Sequence, residues 1–254
     1  MTDESPSTLI QRVGESWGSA FRDMVLIVSS ILIAFSLEAW WDSRSTLHEE
    51  RAALSAVRDD FRAARQELDS VLVRNERVVE TVGVVLALNS EDVARLAPDS
   101  ALQLLHYAYG GGLTFDPPTG ALQALLFAGT LGDIRNHILA AELSAWPGLM
   151  DEIDEDQVFI IDSFNRLQDI RVRTGTMEQS MIFRGLLPGP AKMSQSEVLA
   201  ALLAAPQDRG ILAHHMASVQ GLLDELGDVD RRLDALLEQL DAELGDSVSD
   251  GSRG

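Results

Sequence analysis

Apolar residues are distributed along this chain in two ways, one unbroken and one periodic. From Met24 to Trp41 they run almost without interruption, MVLIVSSILIAFSLEAWW, and Glu38 is the only charge. At about 1.5 Å per helical residue this stretch covers roughly 27 Å, close to the roughly 30 Å of a bilayer's hydrocarbon core. Each Val, Leu, Ile or Phe gains about 0.3 to 0.6 kcal/mol on insertion, and a Glu near the end of the run escapes the cost of about 3 kcal/mol that it carries at midplane. The balance predicts a transmembrane helix over 24–41, with Trp40 and Trp41 at the water boundary.

Residues 1–23 form a leader in which Leu9, Ile10, Val13, Trp17 and Phe21 recur at helical spacing after Ser5-Pro6. That pattern predicts a short amphipathic helix lying on the bilayer surface. A cleaved signal peptide needs a basic leader and a small-residue site beyond the apolar run. Here Arg12 and Arg22 stand against Asp3, Glu4, Glu15 and Asp23, and Ala34-Phe35-Ser36 lies inside the run. Ser30, Ala34 and Glu38 share one side of the span and permit another helix to approach, although Glu38 more simply reaches outward to water.

The periodic pattern begins beyond the span. Neither Gly nor Pro occurs between Ser19 and Val82, so a single helix is predicted to continue out of the membrane. Its apolar stripe is Leu47, Leu54, Val57, Phe61, Ala64, Leu68, Val71, Asn75, Val78, Val82 and Val85, with steps of three and four after Leu54, as a heptad seam requires. Arg51, Arg58, Asp59, Asp60, Arg62, Arg65, Glu67, Arg74, Glu76 and Arg77 occupy the opposite, solvated face, and Asn75 on the seam is either a polar position that sets register between two helices or a tolerated exception in a long seam. The carboxyl end repeats the theme with Leu222, Leu226, Val229, Leu233, Leu236, Leu240 and Leu244, a second acidic amphipathic helix ending near Gly245. The two stripes can bury each other within one chain or pair with their copies in a dimer; intrachain packing is the expectation.

Shorter helices are expected between them. Pro98-Asp99-Ser100 opens one that stops at Gly110-Gly111-Gly112. Asp116-Pro117-Pro118-Thr119 is a rigid turn with Thr119 as N-cap, and the helix it starts is broken by Gly129 and Gly132. From Asn136 a helix reaches Trp146, meets Pro147-Gly148, and resumes through Leu149 to about Arg173. Gly185 to Pro190 is a loop, and Ser194-Gln195-Ser196-Glu197 has the spacing of a capping box before a helix that ends ahead of Pro206. Nothing alternates over strand length. The expected fold is all-α: a transmembrane helix continuing into a long amphipathic helix that packs in a helical bundle.

Composition narrows the chemistry. The chain has 254 residues, 20 Lys and Arg against 40 Asp and Glu, a formal charge of −20 and no cysteine. A basic face for nucleic acid is therefore not expected, and thiolate zinc sites, disulfides and a Cys nucleophile are excluded. The only lysine, Lys192, follows no Gly-rich loop, and there is no His-Glu-x-x-His or Gly-x-Ser-x-Gly. Of His48, His106, His137, His214 and His215, the last two are adjacent and diverge by about 100° on a helix, which does not suit one metal ion. The carboxylates of Asp151-Glu152-Ile153-Asp154-Glu155-Asp156 spread around a helix and read as a solvated face. No catalytic, cofactor-binding or metal-ligating residue is assigned; Asp116, Asp133, His137 and Glu142 are the weakest-supported set, for an undetected hydrolase or metal enzyme.

Two stretches carry a resemblance. Ala-Phe-Ser-Leu-Glu-Ala-Trp-Trp-Asp at 34–42, followed by Glu49-Glu50-Arg51 and the long helix with Leu54, is the first. The second is Thr114-Phe115-Asp116-Pro117-Pro118-Thr119-Gly120-Ala121-Leu122-Gln123-Ala124-Leu125 with Gly129-Thr130-Leu131, Ile134-Arg135-Asn136, Leu143 and Trp146. Together they resemble a bacterial family of small single-pass membrane proteins of unknown function, which implies an amino-terminal anchor and a helical domain and supplies no catalytic residue. The expected organisation is a cytoplasmic leader at 1–23, the span at 24–41, a stalk and bundle at 42–245 and a disordered tail at 246–254. That places the chain in a bacterial inner membrane, crossing once, with its bulk in the periplasm. The expected role is non-enzymatic, an interaction or scaffold module whose amphipathic helices meet a protein partner or a second copy. The alternative is a sensory or signal-relay subunit with a ligand-responsive bundle, its ligand side at the Gly110 to Gly120 loop and Pro147.

Overall fold

The computed structural model describes residues 7–250, with side chains from 24 to 245 other than 25, 27, 39, 42–47 and 133. Among the described residues every regular element is helical: α1 (Ser7–Ala87), α2 (Ser90–Arg95), α3 (Pro98–Ala108), α4 (Gly120–Ala128), a 3₁₀ turn (Thr130–Asp133), α5 (His137–Arg173), α6 (Thr176–Phe183), α7 (Gln195–Leu203) and α8 (Pro206–Asp250). The chain divides into two units, Met1–Ala53 and Leu54–Gly254.

In the first unit the large apolar side chains described from Met24 to Trp41 are exposed on every face of the helix, Ile33 at 67% and Trp41 at 71%. The hydroxyls of Ser30 and Ser36 donate back to the carbonyls of Leu26 and Leu32, at 2.6 and 2.7 Å, satisfying themselves within their own helix. Among the described residues no helix is long and apolar enough to cross a membrane. Val25, Ile27 and Ala39 of the expected span lie outside the described side chains, as does the whole apolar set expected on the leader.

The second unit is built on three long helices. The α1 stripe from Leu54 through Val57, Phe61, Ala64, Leu68, Val71, Asn75, Val78 and Val82 to Val85 is buried throughout, at no more than 2% exposure. On α8, Leu222, Leu226, Val229, Leu233, Leu236 and Leu240 are buried as the spacing predicts, whereas Leu244 at the end of the stripe is only partly buried. Ion pairs fix the direction in which these helices meet. Arg62 reaches Asp241 at 2.9 Å, Arg65 reaches Asp230 at 2.5 Å and Asp234 at 2.9 Å, and at the other end Arg209 donates to the Leu86 carbonyl, so α1 and α8 are antiparallel. Asn136 with Glu243 (3.3 Å), Ser163 with His215 (2.8 Å) and Arg173 with Asp208 (2.5 Å) set α5 antiparallel to α8 as well. Half-exposed ion pairs contribute about 0 to 1 kcal/mol each, so burial of the stripes holds the helices together and the charges select their register. Phe61 of α1 packs on Trp146 of α5 with ring centroids 4.8 Å apart.

Several local expectations are met and several are corrected. Ser194 and Glu197 form the capping box of α7, at 3.2 and 2.7 Å. Gly129, in the left-handed region at φ 70°, ends α4. Pro147 does not interrupt α5, which runs unbroken through it; proline removes one backbone bond, buried Leu143 and Trp146 dock the turn before it, and Ile153 is the next buried residue beyond. At its far end α8 passes Gly245 and continues to Asp250, so the tail expected at 246–254 is helical over its first five residues, and 251–254 lie outside the described residues. The helices α2 and α6 were not expected: the first is a single capped turn or so, with Asn89 and Asp92 closing a capping box, and the second follows Gly175 directly after α5.

Candidate ligand-binding site

Between α3 and α4 the chain leaves helical structure at residues 109–119, and backbone groups with no neighbours in a ladder need partners elsewhere. Side chains of the long helices supply them. Asn75 accepts from the Leu113 amide at 2.7 Å and donates to the Leu113 carbonyl at 3.0 Å. Gln157 of α5 brackets Phe115 in the same manner, donating to its carbonyl at 3.1 Å and accepting from its amide. Glu67 accepts from the Asp116 amide at 2.9 Å and Asp60 from the Ala121 amide at 2.8 Å. Thr119 stands at the N-cap of α4 as expected, but its side chain makes no cap bond; Asp60, a residue assigned to the solvated face, performs that task from α1. Asn75 is likewise buried on the seam, where it clasps a loop and not a second long helix.

Residues 109–119 form a strap that lies close against the bundle. Gly111 has φ 79°, and a Cβ there would lie 2.6 Å from the Phe164 ring; one on Gly112 would lie 2.8 Å from the Asn75 oxygen. Small residues are required where backbone approaches this closely.

Where the strap leaves α3, a cavity of about 490 Å³ opens between α1, α3, α5, α6 and α7. Leu102, Leu105, Phe183 and Leu202 form its apolar wall, and Arg74, Arg171 and Arg184 bring three guanidinium groups to it, while no carboxylate lines it. Arg74 is held by the Gly111 carbonyl at 3.3 Å, by the ring face of Tyr107 at 4.6 Å and by His106 Nε2 at 3.2 Å. Burial, then the charges of Arg74 and Arg184, keep the His106 pKa below the ordinary histidine value. Neutral His106 therefore presents a lone pair at Nε2, and Arg74 donates to it. Arg171 is only 8% exposed and donates to Gln168 at 2.8 Å; burial first and Arg184 second hold its pKa below the usual arginine value. Tyr109 is 2% exposed, lines the same cavity, and its hydroxyl has no hydrogen-bond partner among the described residues. Burial, helped by Asp208, raises the phenol pKa, so Tyr109 keeps its proton.

A smaller cavity of about 230 Å³ is lined by Asp116, Pro117, Thr119, Pro147 and Asp154 among others, so the strap and the proline turn of α5 share one surface depression. Ser163 and His215 resemble half of a nucleophile and base pair, yet the polarity is reversed. Ser163 already donates to the Ile160 carbonyl at 2.9 Å, which leaves His215 Nδ1 as the donor across their 2.8 Å contact, and both residues are fully buried. Burial pushes the His215 pKa down to about 4, so it stays neutral. Its neighbour His214 is exposed, as the divergence of adjacent helical positions requires. Glu225 on α8 hydrogen-bonds Asp156 on α5, and this bond, with burial and the nearby charges, holds its pKa above the ordinary carboxylate range.

The set Asp116, Asp133, His137 and Glu142 is not assembled. Asp116 lines the small cavity, Glu142 faces a different one beside Arg231, His137 is exposed in the first turn of α5, and the Asp133 side chain lies outside the described residues. Asp151, Glu152, Asp154 and Glu155 are exposed while Ile153 turns inward, and among the described residues no group of three His, Cys, Asp or Glu is placed to hold a metal ion. Sequence reading missed Arg171, Arg184 and Tyr109 and left Arg74 on the solvated face. A usable signal existed for Arg171: the inward positions Ile153, Gln157, Ile160 and Leu167 of α5, continued by four, arrive at it. Compared with protein-family models, curated proteins and solved structures, the chain matches none of them.

Proposed function

We propose that this chain is a non-catalytic, membrane-anchored ligand-binding module, a sensory or signal-relay subunit tethered to a bacterial inner membrane by residues 24–41. The observation that carries the ligand-binding reading is the 490 Å³ cavity, within the roughly 300 to 1,000 Å³ range of small-molecule sites, with apolar walls and a few converging polar groups. The anchor is supported by the unbroken apolar run, its exposure on all faces, and serine hydroxyls that need no water as partner. Full-length chain in membranes should stay in the pellet through an alkaline carbonate wash. In nonionic detergent its thermal transition should rise with at least one member of a broad metabolite panel. Release by carbonate refutes the anchor, and an unmoved transition across the panel refutes the ligand-binding reading.

The scaffold reading retains one specific support. On α5, Val158 and Ile161, three residues apart on its outward side, are 60 and 52% exposed, large apolar side chains that a partner helix would cover.

A further inference from the structure

We infer that the cavity between α1, α3, α5, α6 and α7 binds a small organic oxyanion, a carboxylate or phosphate headgroup on an apolar body, with Arg74, Arg171 and Arg184 holding the headgroup. The inference rests on the ligand-binding reading and adds the chemical class. In a chain with twice as many acids as bases, most arginines of the bundle have found a carboxylate: Arg62 and Arg65 on α8, Arg173 on Asp208, Arg166 on Asp162. Three that converge on one cavity have none lining it. A guanidinium carries five donors, and Arg171, almost wholly buried, is given one side-chain acceptor, the Gln168 oxygen. Burying such a charge without a counter-ion is costly, so the arrangement is complete only when an anion supplies the remaining acceptors.

Geometry points the same way. Arg74 is positioned in advance by His106, Gly111 and Tyr107, which lowers the ordering cost of a bidentate contact to an oxyanion. In the same cavity the Leu102, Leu105, Phe183 and Leu202 side chains offer apolar surface, which a bare inorganic ion would leave uncovered. The cavity thus offers guanidinium groups and apolar surface together.

The test uses titration calorimetry on the full chain in nonionic detergent, with phenyl phosphate, benzoate, inorganic phosphate and the uncharged benzyl alcohol as probes. Phenyl phosphate or benzoate should bind about tenfold more tightly than benzyl alcohol, the scale of one charge-assisted contact, and more weakly as salt is raised. Arg184→Gln, at an exposed position, should weaken the anions about tenfold and leave benzyl alcohol unchanged. Arg184→Lys should recover only part of the loss, because an ammonium does not present the planar fork. Inorganic phosphate binding as tightly as phenyl phosphate would overturn the organic body. Benzyl alcohol binding as tightly as the anions would overturn the oxyanion and leave a ligand cavity standing. Anion binding that survives Arg184→Gln and Arg74→Gln unchanged would place the anions elsewhere and overturn the assignment. Silence from all four probes overturns the class as well, and the metabolite panel then decides separately whether the cavity takes any ligand.

Discussion

Replacing Asn75 by alanine tests whether the strap is held by side-chain brackets. The substitution removes two hydrogen bonds to Leu113, of 2.7 and 3.0 Å, and leaves an amide and a carbonyl against a helix face where Asn75 was wholly buried. Each lost bond costs about 1 kcal/mol, and a stranded buried group costs up to about 3 kcal/mol. Leu113 itself is 44% exposed, so water reaches the outer side of the strap and the total should fall at about 2 to 3 kcal/mol. For a bundle of this size that corresponds to a fall in Tm of about 4 to 12 °C. Asn75→Asp separates bonding from packing, since it preserves volume but sets a carboxylate against the Leu113 carbonyl; it should cost at least as much as alanine at neutral pH. Urea unfolding of the full chain in nonionic detergent gives the free energies, and hydrogen exchange at the Leu113 amide reports the bracket directly. A loss below about 0.5 kcal/mol for both variants, with Leu113 protection unchanged, would show that the bracket does not hold the strap.

Two further outcomes are expected. Gly111→Ala should destabilise by about 1 kcal/mol or more for the backbone alone, and further for a Cβ 2.6 Å from Phe164; a variant melting with the parent would refute the strain. His215 has its folded pKa lowered to about 4 against an unfolded value of about 6.5, so its contribution is present above about pH 6.5 and is lost as pH falls toward 4, by about 3 kcal/mol at most. His215→Leu should therefore flatten stability between pH 6.5 and 4 relative to the parent, and parallel pH profiles for the two proteins would contradict the assignment.

The long helices were legible because their information is local and repeated. The stripes of α1 and α8 name their own buried faces, and Ser194 and Gly129 announce helix ends through chemistry contained within a few residues. Asn75 shows the limit: its inward position followed from the period, whereas its partner, 38 residues away in a loop, did not. The same holds for Asp60 and Glu67, which look like solvated charges until the strap is laid across them. The cavity was hidden for a related reason. Arg74, Arg171 and Arg184 come from three parts of the chain with no common spacing, and only the packing of α1, α5 and α6 brings them together. Pro147 misled in the opposite direction, because a strong helix breaker in isolation is tolerated where tertiary packing holds the helix before it, at Leu143 and Trp146, and again beyond it from Ile153.

The brackets on Asp60, Glu67 and Asn75 lie along one flank of α1, about four helical turns from first to last, and each grips a different backbone group of the 113–121 segment. They act together like the teeth of a rack. A slide of α1 along its axis, or a roll about it, loads all three, so the segment is coupled to the helix along its length. Any movement of α1 relative to the cavity wall at Tyr109 and Gly110 is thereby resisted at three points at once.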